Sequence, residues 1–97
     1  MGIEPERDWD AEPTRFEGAD VERMARAEHE RWSEDLRRAG WRHSSKDKDA
    51  RARTHPHLVS WEELAEDVRE IDRAIVRDVP GLLAEWGYAV VRRASAP

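Results

Sequence analysis

The feature that most constrains the fold of this chain is a stretch without periodicity, residues 40–59, which separates two segments with helical spacing. His55 and Pro56 lie within it, and the residue before a proline is driven toward an extended conformation, so a single helix cannot run through this point. Three of the four histidines lie in this stretch, with Trp41 near its start and Trp61 just beyond its end. A connection of about 20 residues is longer than usual, and loops of that length commonly carry function. We therefore expect a structured loop and look for a functional site there.

The segment before the loop, residues 20–39, is predicted to form the first main helix. Asp20 has the side chain of a good N-cap, and Gly40 is suited to end the helix because glycine tolerates a left-handed conformation. Between them, apolar residues recur at spacings that place them on one helix face: Val21, Met24, Ala25, Trp32 and Leu36. Glu28 interrupts this apolar face.

Two further helices are predicted after the loop. Ser60 and Glu63 fit a capping box. The apolar residues that follow lie on one face of a second main helix over residues 60–78: Leu64, Val68, Ile71 and Ile75. Pro80 is suited to the first turn of a new helix, so a short third helix is expected from Pro80 to Gly87. Its buried side would be formed by Leu82, Leu83 and Trp86.

These elements indicate an all-α fold. We expect a mainly helical small domain in which two main helices and a short C-terminal helix surround a long His-Pro loop, with room for short extended pieces. The 97 residues allow one domain, and because only 38% of them are hydrophobic its core should be small. We divide the chain into an acidic N-terminal arm over residues 1–19, flexible or loosely docked, a domain over residues 20–91 and a C-terminal tail over residues 92–97.

The net charge of −5 is distributed unevenly along the chain. Residues 1–20 hold seven acidic residues against two basic ones, whereas residues 42–53 hold five basic residues against two acidic ones. The overall acidity disfavours DNA or RNA as a partner, because such binding depends on neutralising phosphates. The basic loop is still suited to one small anion. With no cysteine, no apolar run of about 20 residues and no signal-peptide pattern, we expect a cytoplasmic protein without membrane contact.

The sequence also disfavours a metal site, another cofactor and catalysis. His55 and His57 alternate around a proline, without the helical spacing or the cysteines typical of zinc sites. The chain has no glycine-rich phosphate loop and no serine in a nucleophile-elbow sequence. We therefore expect no metal, no cofactor and no enzymatic activity.

The order of several short motifs resembles the ryanodine-receptor repeat (RyR) domain across residues 21–91. The motifs are Ala25, His29-Glu30 and Trp32, then Gly40-Trp41, then Thr54-His55-Pro56 with Leu58, Val59, Trp61 and Leu64, then Asp72-Arg73, then Leu83 and Gly87-Tyr88. The chain departs from the family pattern at Trp61, where members often carry tyrosine, and at Ala65, where many carry proline. The resemblance implies a compact helical module without established catalysis. The domain company of bacterial members implies a sensor of a small nucleotide-derived ligand, and a solitary copy looks bacterial or phage-encoded.

The candidate site residues fall into two groups by expected role. Trp41 and Trp61 are interpreted as walls that stack on a ligand, or alternatively as core residues. Three basic residues of the loop would neutralise the charge of the ligand: Arg42, Lys46 and Arg53. His55 would orient the ligand. The second group is expected to be structural, and consists of His29, Trp32, Pro56, Leu58, Leu64 and Asp72. His29 would pair with the His-Pro loop, His55 would bond the loop backbone or Glu28, and Asp72 would accept hydrogen bonds from the loop backbone.

Two functions of different class remain open at this point. The first is a non-catalytic sensing or binding module for a small, nucleotide-derived anionic ligand held by the aromatic and basic residues of the loop. The second is a protein-interaction or self-association module without a small ligand, in which tryptophans anchor a signalling protein or a second copy of the chain.

Overall fold

The computed structural model describes residues 15–92, and these form two long helices joined by a folded loop. The helices are α1, Gly18–Arg38, and α2, Glu66–Glu85. Between them lie two short strands, β1 (Arg42–His43) and β2 (Thr54–His55), and one turn of 3₁₀ helix at Trp61–Glu63. The expected mainly helical small domain is therefore confirmed. Of the predicted arm and tail, residues 1–14 and 93–97 lie outside the described part.

Helix α1 begins two residues earlier than predicted. The amide of Val21 donates to the carbonyl oxygen of Glu17 at 2.9 Å, which makes Glu17 the N-cap residue in place of Asp20. Asp20 instead lies in the first turn and accepts a hydrogen bond from Arg92 at 2.7 Å. Phe16 packs against the core and fixes the chain ahead of the helix. Residues 18 and 19 therefore form the first turn of α1, and Phe16 contacts the core just ahead of it.

Helix α2 begins later than predicted, because Ser60 starts only a single 3₁₀ turn. Ser60 Oγ donates to the Glu63 carboxylate at 3.2 Å, so the two side chains pair with each other and neither caps a backbone amide. Residues three apart lie on the same side of a 3₁₀ turn, and Trp61 and Leu64 are accordingly both buried. Leu64 and Ala65 are extended, and α2 starts at Glu66.

The predicted short third helix is absent from residues 15–92, because α2 continues through Pro80. A proline inside a helix removes one backbone hydrogen bond, and here Val76 and Pro80, one turn apart, are both buried on the inner face. The helix ends at Glu85, where Gly87 adopts a φ of 84° and the amide of Tyr88 donates to the carbonyl of Leu83 at 2.9 Å. The expected burial of Leu82 and Trp86 is wrong, since they are 56% and 76% exposed.

The core is small and lies between the two helices and the 3₁₀ turn. Its buried apolar residues are Val21, Ala25, Trp61, Leu64 and Val76, with Phe16, Val59 and Val68 packed against them. A polar group closes one side: Trp61 Nε1 donates to the Glu22 carboxylate at 3.0 Å, and Arg73 donates to the same carboxylate at 2.6 Å. Neither helix of the described residues is both long and apolar enough to cross a membrane.

The loop between the helices is folded back on itself. Strands β1 and β2 pair in parallel, with Arg42 opposite Thr54 and His43 opposite His55. Asp49 and Thr54 exchange two backbone hydrogen bonds of 3.0 Å, and the Asp49 carboxylate accepts the amides of the two residues that follow Ala50. The expected short extended pieces are therefore present, and they bring the two ends of the loop together.

Two glycines in this fold are predicted to respond to alanine with opposite signs. Gly40 has a φ of 89°, and an added Cβ would lie 3.3 Å from the Arg53 guanidinium, so Gly40→Ala should destabilise the protein by about 1 kcal/mol. Gly81 lies within α2 with nothing within 4 Å of an added Cβ, so Gly81→Ala should stabilise it by about 0.5–1 kcal/mol. Urea unfolding of the two variants checks this pair, and a shift of the same sign in both would contradict it.

Candidate ligand-binding site

Five aromatic rings from α1 and the loop form a continuous set, which we call the ring cluster: His29, Trp32, Trp41, His55 and His57. His55 is at its centre, with its ring centroid 4.9 Å from Trp32, 6.5 Å from Trp41 and 5.1 Å from His57. His29 stacks on the other side of Trp32, with centroids 5.6 Å apart. The cluster thus joins the first helix to β2, which contains His55, and to Trp41, the residue before β1.

Backbone hydrogen bonds from two histidines fix the loop that carries this cluster. His29 Nε2 lies 2.7 Å from the carbonyl oxygen of Val59, and because a carbonyl can only accept, this nitrogen carries the hydrogen. His55 Nδ1 accepts the amide of His57 at 3.0 Å. Burial lowers the pKa of His55, with smaller contributions from the charges of His57 and Lys48, which favours the neutral ring. Neutral His55 keeps the acceptor that this turn needs.

A cavity of about 300 Å³ lies beside the ring cluster, between α1, the loop and α2. It is lined by Glu28, His29 and Trp32 from α1, His57 from the loop, and Val68, Ile71, Asp72 and Ile75 from α2. Its size is at the lower end of the range for small-molecule sites, and its combination of apolar walls with a few polar groups is typical of them. Ile71 and Ile75, 60% and 59% exposed, form its open apolar side.

The charged groups of the cavity wall are carboxylates. Glu28 is held in a two-pronged pair by Arg31, at 2.8 and 2.5 Å, which lowers its pKa. Asp72 is partly buried and accepts no hydrogen bond from another residue between 15 and 92. Burial raises the pKa of Asp72, and Glu28 adds to this effect, while His29 and His57 oppose it. The cavity therefore offers acceptors for hydrogen bonds and has no lining cation among the described residues.

The basic residues lie on the other side of the ring cluster, around Trp41. Lys48 Nζ lies 5.8 Å from the centroid of the half-buried Trp41 ring, a distance at which the ring attracts a cation. Arg53 adopts a φ of 55° and donates from Nη1 to the carbonyl of Ala39 at 3.0 Å, so one of its donors is used to cap α1. Arg42 and Lys46 are exposed.

The structure separates the residues that the sequence grouped as one ligand site. Trp41 and His55 lie together in the ring cluster, but Trp61 is 4% exposed and belongs to the core, where the Arg73 guanidinium covers its ring at 5.7 Å. Trp61 therefore cannot stack on a ligand while the core is intact. Asp72 lies at the cavity and does not bond the loop backbone. The expected structural residues Leu58 and Leu64 are buried, and Pro56 is half-buried.

Several cavity residues were not singled out as ligand-binding from the sequence. Glu28 was visible as a polar interruption of an apolar helix face, which is the signal that could have placed it at a site. Ile71 and Ile75 belong to the apolar face predicted for the second helix, but they stay 60% and 59% exposed beside the cavity. The sequence alone does not show that Lys48, and not Lys46, lies over the Trp41 ring, because this depends on how the loop folds. Residues 15–92 contain no group of three or more His, Asp or Glu side chains that could hold a metal ion.

Comparison with known proteins agrees with the arrangement of these motifs. The family model described as RyR domain matches residues 16–92, which includes both helices, the paired strands and the ring cluster. No curated protein matches the chain. Because the matched range covers well over half of the sequence, the chain belongs to the RyR domain family.

Proposed function

We propose that this protein is a non-catalytic module that binds and senses a small anionic ligand derived from a nucleotide. The observation that carries the proposal is that the cavity, which has apolar and acidic walls, is continuous with the basic surface around Trp41. The cavity is lined by Trp32 and His57, and His57 connects through His55 to Trp41 and the basic residues around it. A nucleotide-derived ligand matches both surfaces: its aromatic part and its hydroxyl or amine donors suit the cavity, and its phosphate suits the basic residues around Trp41.

The charges set the direction in which such a ligand would bind. Phosphate groups would be repelled by Glu28 and Asp72, because like charges at close range disfavour binding. The phosphates are therefore assigned to the loop, where Lys48, Arg42 and Lys46 present cations to solvent. The nucleoside part is assigned to the cavity, where Trp32 and His57 provide aromatic faces for stacking.

Sensing would follow from the way the cavity is assembled. Three segments that are distant in the sequence contribute to its wall: α1, the loop at His57 and α2. A ligand in contact with all three holds them together and stabilises the folded state by mass action. The exposed sides of Ile71 and Ile75 would be covered at the same time. Binding would thus change the surface that the module offers to a partner.

A thermal-shift measurement tests this function. The probes are AMP, cyclic AMP and ADP-ribose, and a bound probe at about 100 times its Kd adds about 2.7 kcal/mol, which raises Tm on the order of 10 °C. The shift should be reduced in Trp41→Ala and Lys48→Gln, because each removes one half of the ring and cation pair that is assigned to phosphate. Arg38→Gln is the matched control, since Arg38 is an exposed cation that pairs with Glu34 outside the loop.

The outcomes of this experiment separate the two classes of function. Equal shifts in the loop variants and in wild type would remove the loop from the site. No shift with any probe would remove the ligand-binding function and favour the second candidate, a protein-interaction or self-association module. That candidate is supported by apolar side chains that stay more than half exposed at the end of α2 and after it: Leu82, Trp86, Tyr88 and Val91. Its sign would be a size in solution that increases with protein concentration.

A further inference from the structure

We propose that Asp72 is the residue of the cavity that reads the sugar of the ligand, by accepting hydrogen bonds from the two adjacent hydroxyls of a ribose. This inference rests on the proposed nucleotide-binding function and specifies one part of it: the site should distinguish ribonucleotides from deoxyribonucleotides.

The first reason is the state of the Asp72 carboxylate. It is partly buried in the cavity wall and accepts no hydrogen bond from the other residues between 15 and 92. The Asp72 oxygens are not among the fully buried unpaired atoms, so in the ligand-free protein water can reach them, and a ligand's donors would replace that water. An open cavity in front of such a group marks the place where a ligand's donors would fit.

The second reason is that the other carboxylate of the cavity is already engaged. Glu28 accepts from Arg31 with both of its oxygens, at 2.8 and 2.5 Å. Histidine rings supply the other polar groups of the wall, and His29 uses its Nε2 hydrogen for the carbonyl of Val59. Asp72 is therefore the carboxylate with both oxygens available to a ligand.

The third reason is the chemistry of the donors in a nucleotide. Two adjacent hydroxyls can give one hydrogen bond to each oxygen of one carboxylate, which satisfies both oxygens. The exocyclic amine of adenine, by contrast, offers one hydrogen toward the same group and leaves the second oxygen without a partner. A ribose at Asp72 also leaves the base free to stack on Trp32 or His57, which line the same cavity.

The surroundings of Asp72 predict opposite effects of one substitution on stability and on binding. Glu28 and His29 of α1 and His57 of the loop face this carboxylate, and burial raises its pKa. The folded state therefore holds the proton more tightly than the unfolded chain, and stability falls as the pH rises through the raised pKa. Asp72→Asn removes this cost, so the ligand-free variant should be more stable than wild type at pH 7.

Calorimetric titration of the full chain tests the proposal with AMP and 2′-deoxy-AMP as probes. Wild type should bind AMP about tenfold or more tightly than 2′-deoxy-AMP, the ratio expected for one hydrogen bond to a charged group. Asp72→Asn should bind AMP more weakly by a similar factor and lose the preference, while unfolding at a higher urea concentration. Asp78→Asn, an exposed acid of α2 away from the cavity, should keep both the affinity and the preference.

Each alternative outcome has a separate meaning. Equal binding of the two probes by wild type, or a preference that survives in Asp72→Asn, overturns the role of Asp72 while the nucleotide-binding function stands. A wild-type protein that binds neither probe overturns the role of Asp72 as stated here. If AMP, cyclic AMP and ADP-ribose all fail in the thermal screen as well, the proposed function falls with it.

Discussion

Replacing Trp61 by alanine is expected to lower the free energy of unfolding by about 3–5 kcal/mol, the usual cost of truncating a buried aromatic residue. Trp61 is 4% exposed and lies among Val21, Ala25, Leu64 and Val76, the buried apolar residues of the core. A domain of this size has only about 5–15 kcal/mol of stability in total. The substitution should therefore remove a large share of the total stability and lower the urea concentration at which the protein unfolds.

The cost has a polar part in addition to the lost packing. Trp61 Nε1 donates to the Glu22 carboxylate at 3.0 Å. The hydrogen bond from Arg73 lowers the pKa of Glu22 most, and the bond from Trp61 lowers it further. Arg73 also lies over the Trp61 ring, at 5.7 Å from its centroid. Alanine removes the Nε1 donor to Glu22 and the ring beneath Arg73, and opens the apolar core behind them to water.

Urea unfolding, followed by circular dichroism, measures this effect, and Trp86→Ala is the matched control. Trp86 is 76% exposed, so its removal should change the free energy of unfolding by no more than about 0.5 kcal/mol. The measurement is made at low protein concentration, so that any self-association through Trp86 does not contribute. Similar losses in the two variants would show that Trp61 is not the centre of the core.

The helical periodicity was sufficient to predict α1. On α2 it predicted a face with Ile71 and Ile75, which are 60% and 59% exposed, whereas the buried residues of that helix are Val76 and Pro80. Short sequence motifs predicted less, because the same motif is compatible with two different structures. Ser60 and Glu63 satisfy the capping-box pattern, yet the turn that buries both Trp61 and Leu64 is 3₁₀ and ends after three residues. Pro80 satisfies the pattern of a helix start, yet the buried inner face continues through it and one lost hydrogen bond does not end the helix.

The candidate site was predictable only in part, because its cavity is a property of how the helices pack. A tryptophan at the end of a loop has the same sequence signature whether it forms a core or a ligand wall, and only the packing shows that Trp61 is core and Trp41 is not. The basic residues of the loop pointed to an anion. The cavity also contains two carboxylates, Glu28 from α1 and Asp72 from α2. These residues are far apart in the sequence, and only the packing of the two helices brings them together.

The second large effect is expected at His29, whose substitution by phenylalanine should lower the free energy of unfolding by about 1–3 kcal/mol. His29 is 5% exposed and donates from Nε2 to the carbonyl oxygen of Val59 at 2.7 Å. Phenylalanine keeps the aromatic packing against Trp32 and Trp61 but provides no donor, which leaves the Val59 carbonyl without this partner. Leaving a buried acceptor unpaired is more costly than the net gain from forming the bond.

The location of the loss is as informative as its size, because the bond connects α1 to Val59, two residues after His57. If it holds the loop in place, hydrogen exchange at the amides of His57 and Leu58 should accelerate in His29→Phe more than exchange within α1. These amides donate to His55, the central ring of the cluster, so their exchange reports on the cavity wall. His43→Phe is the control, since His43 is exposed and should stay within about 0.5 kcal/mol of wild type. Unchanged stability and exchange in His29→Phe would mean that ring stacking alone holds the loop against α1.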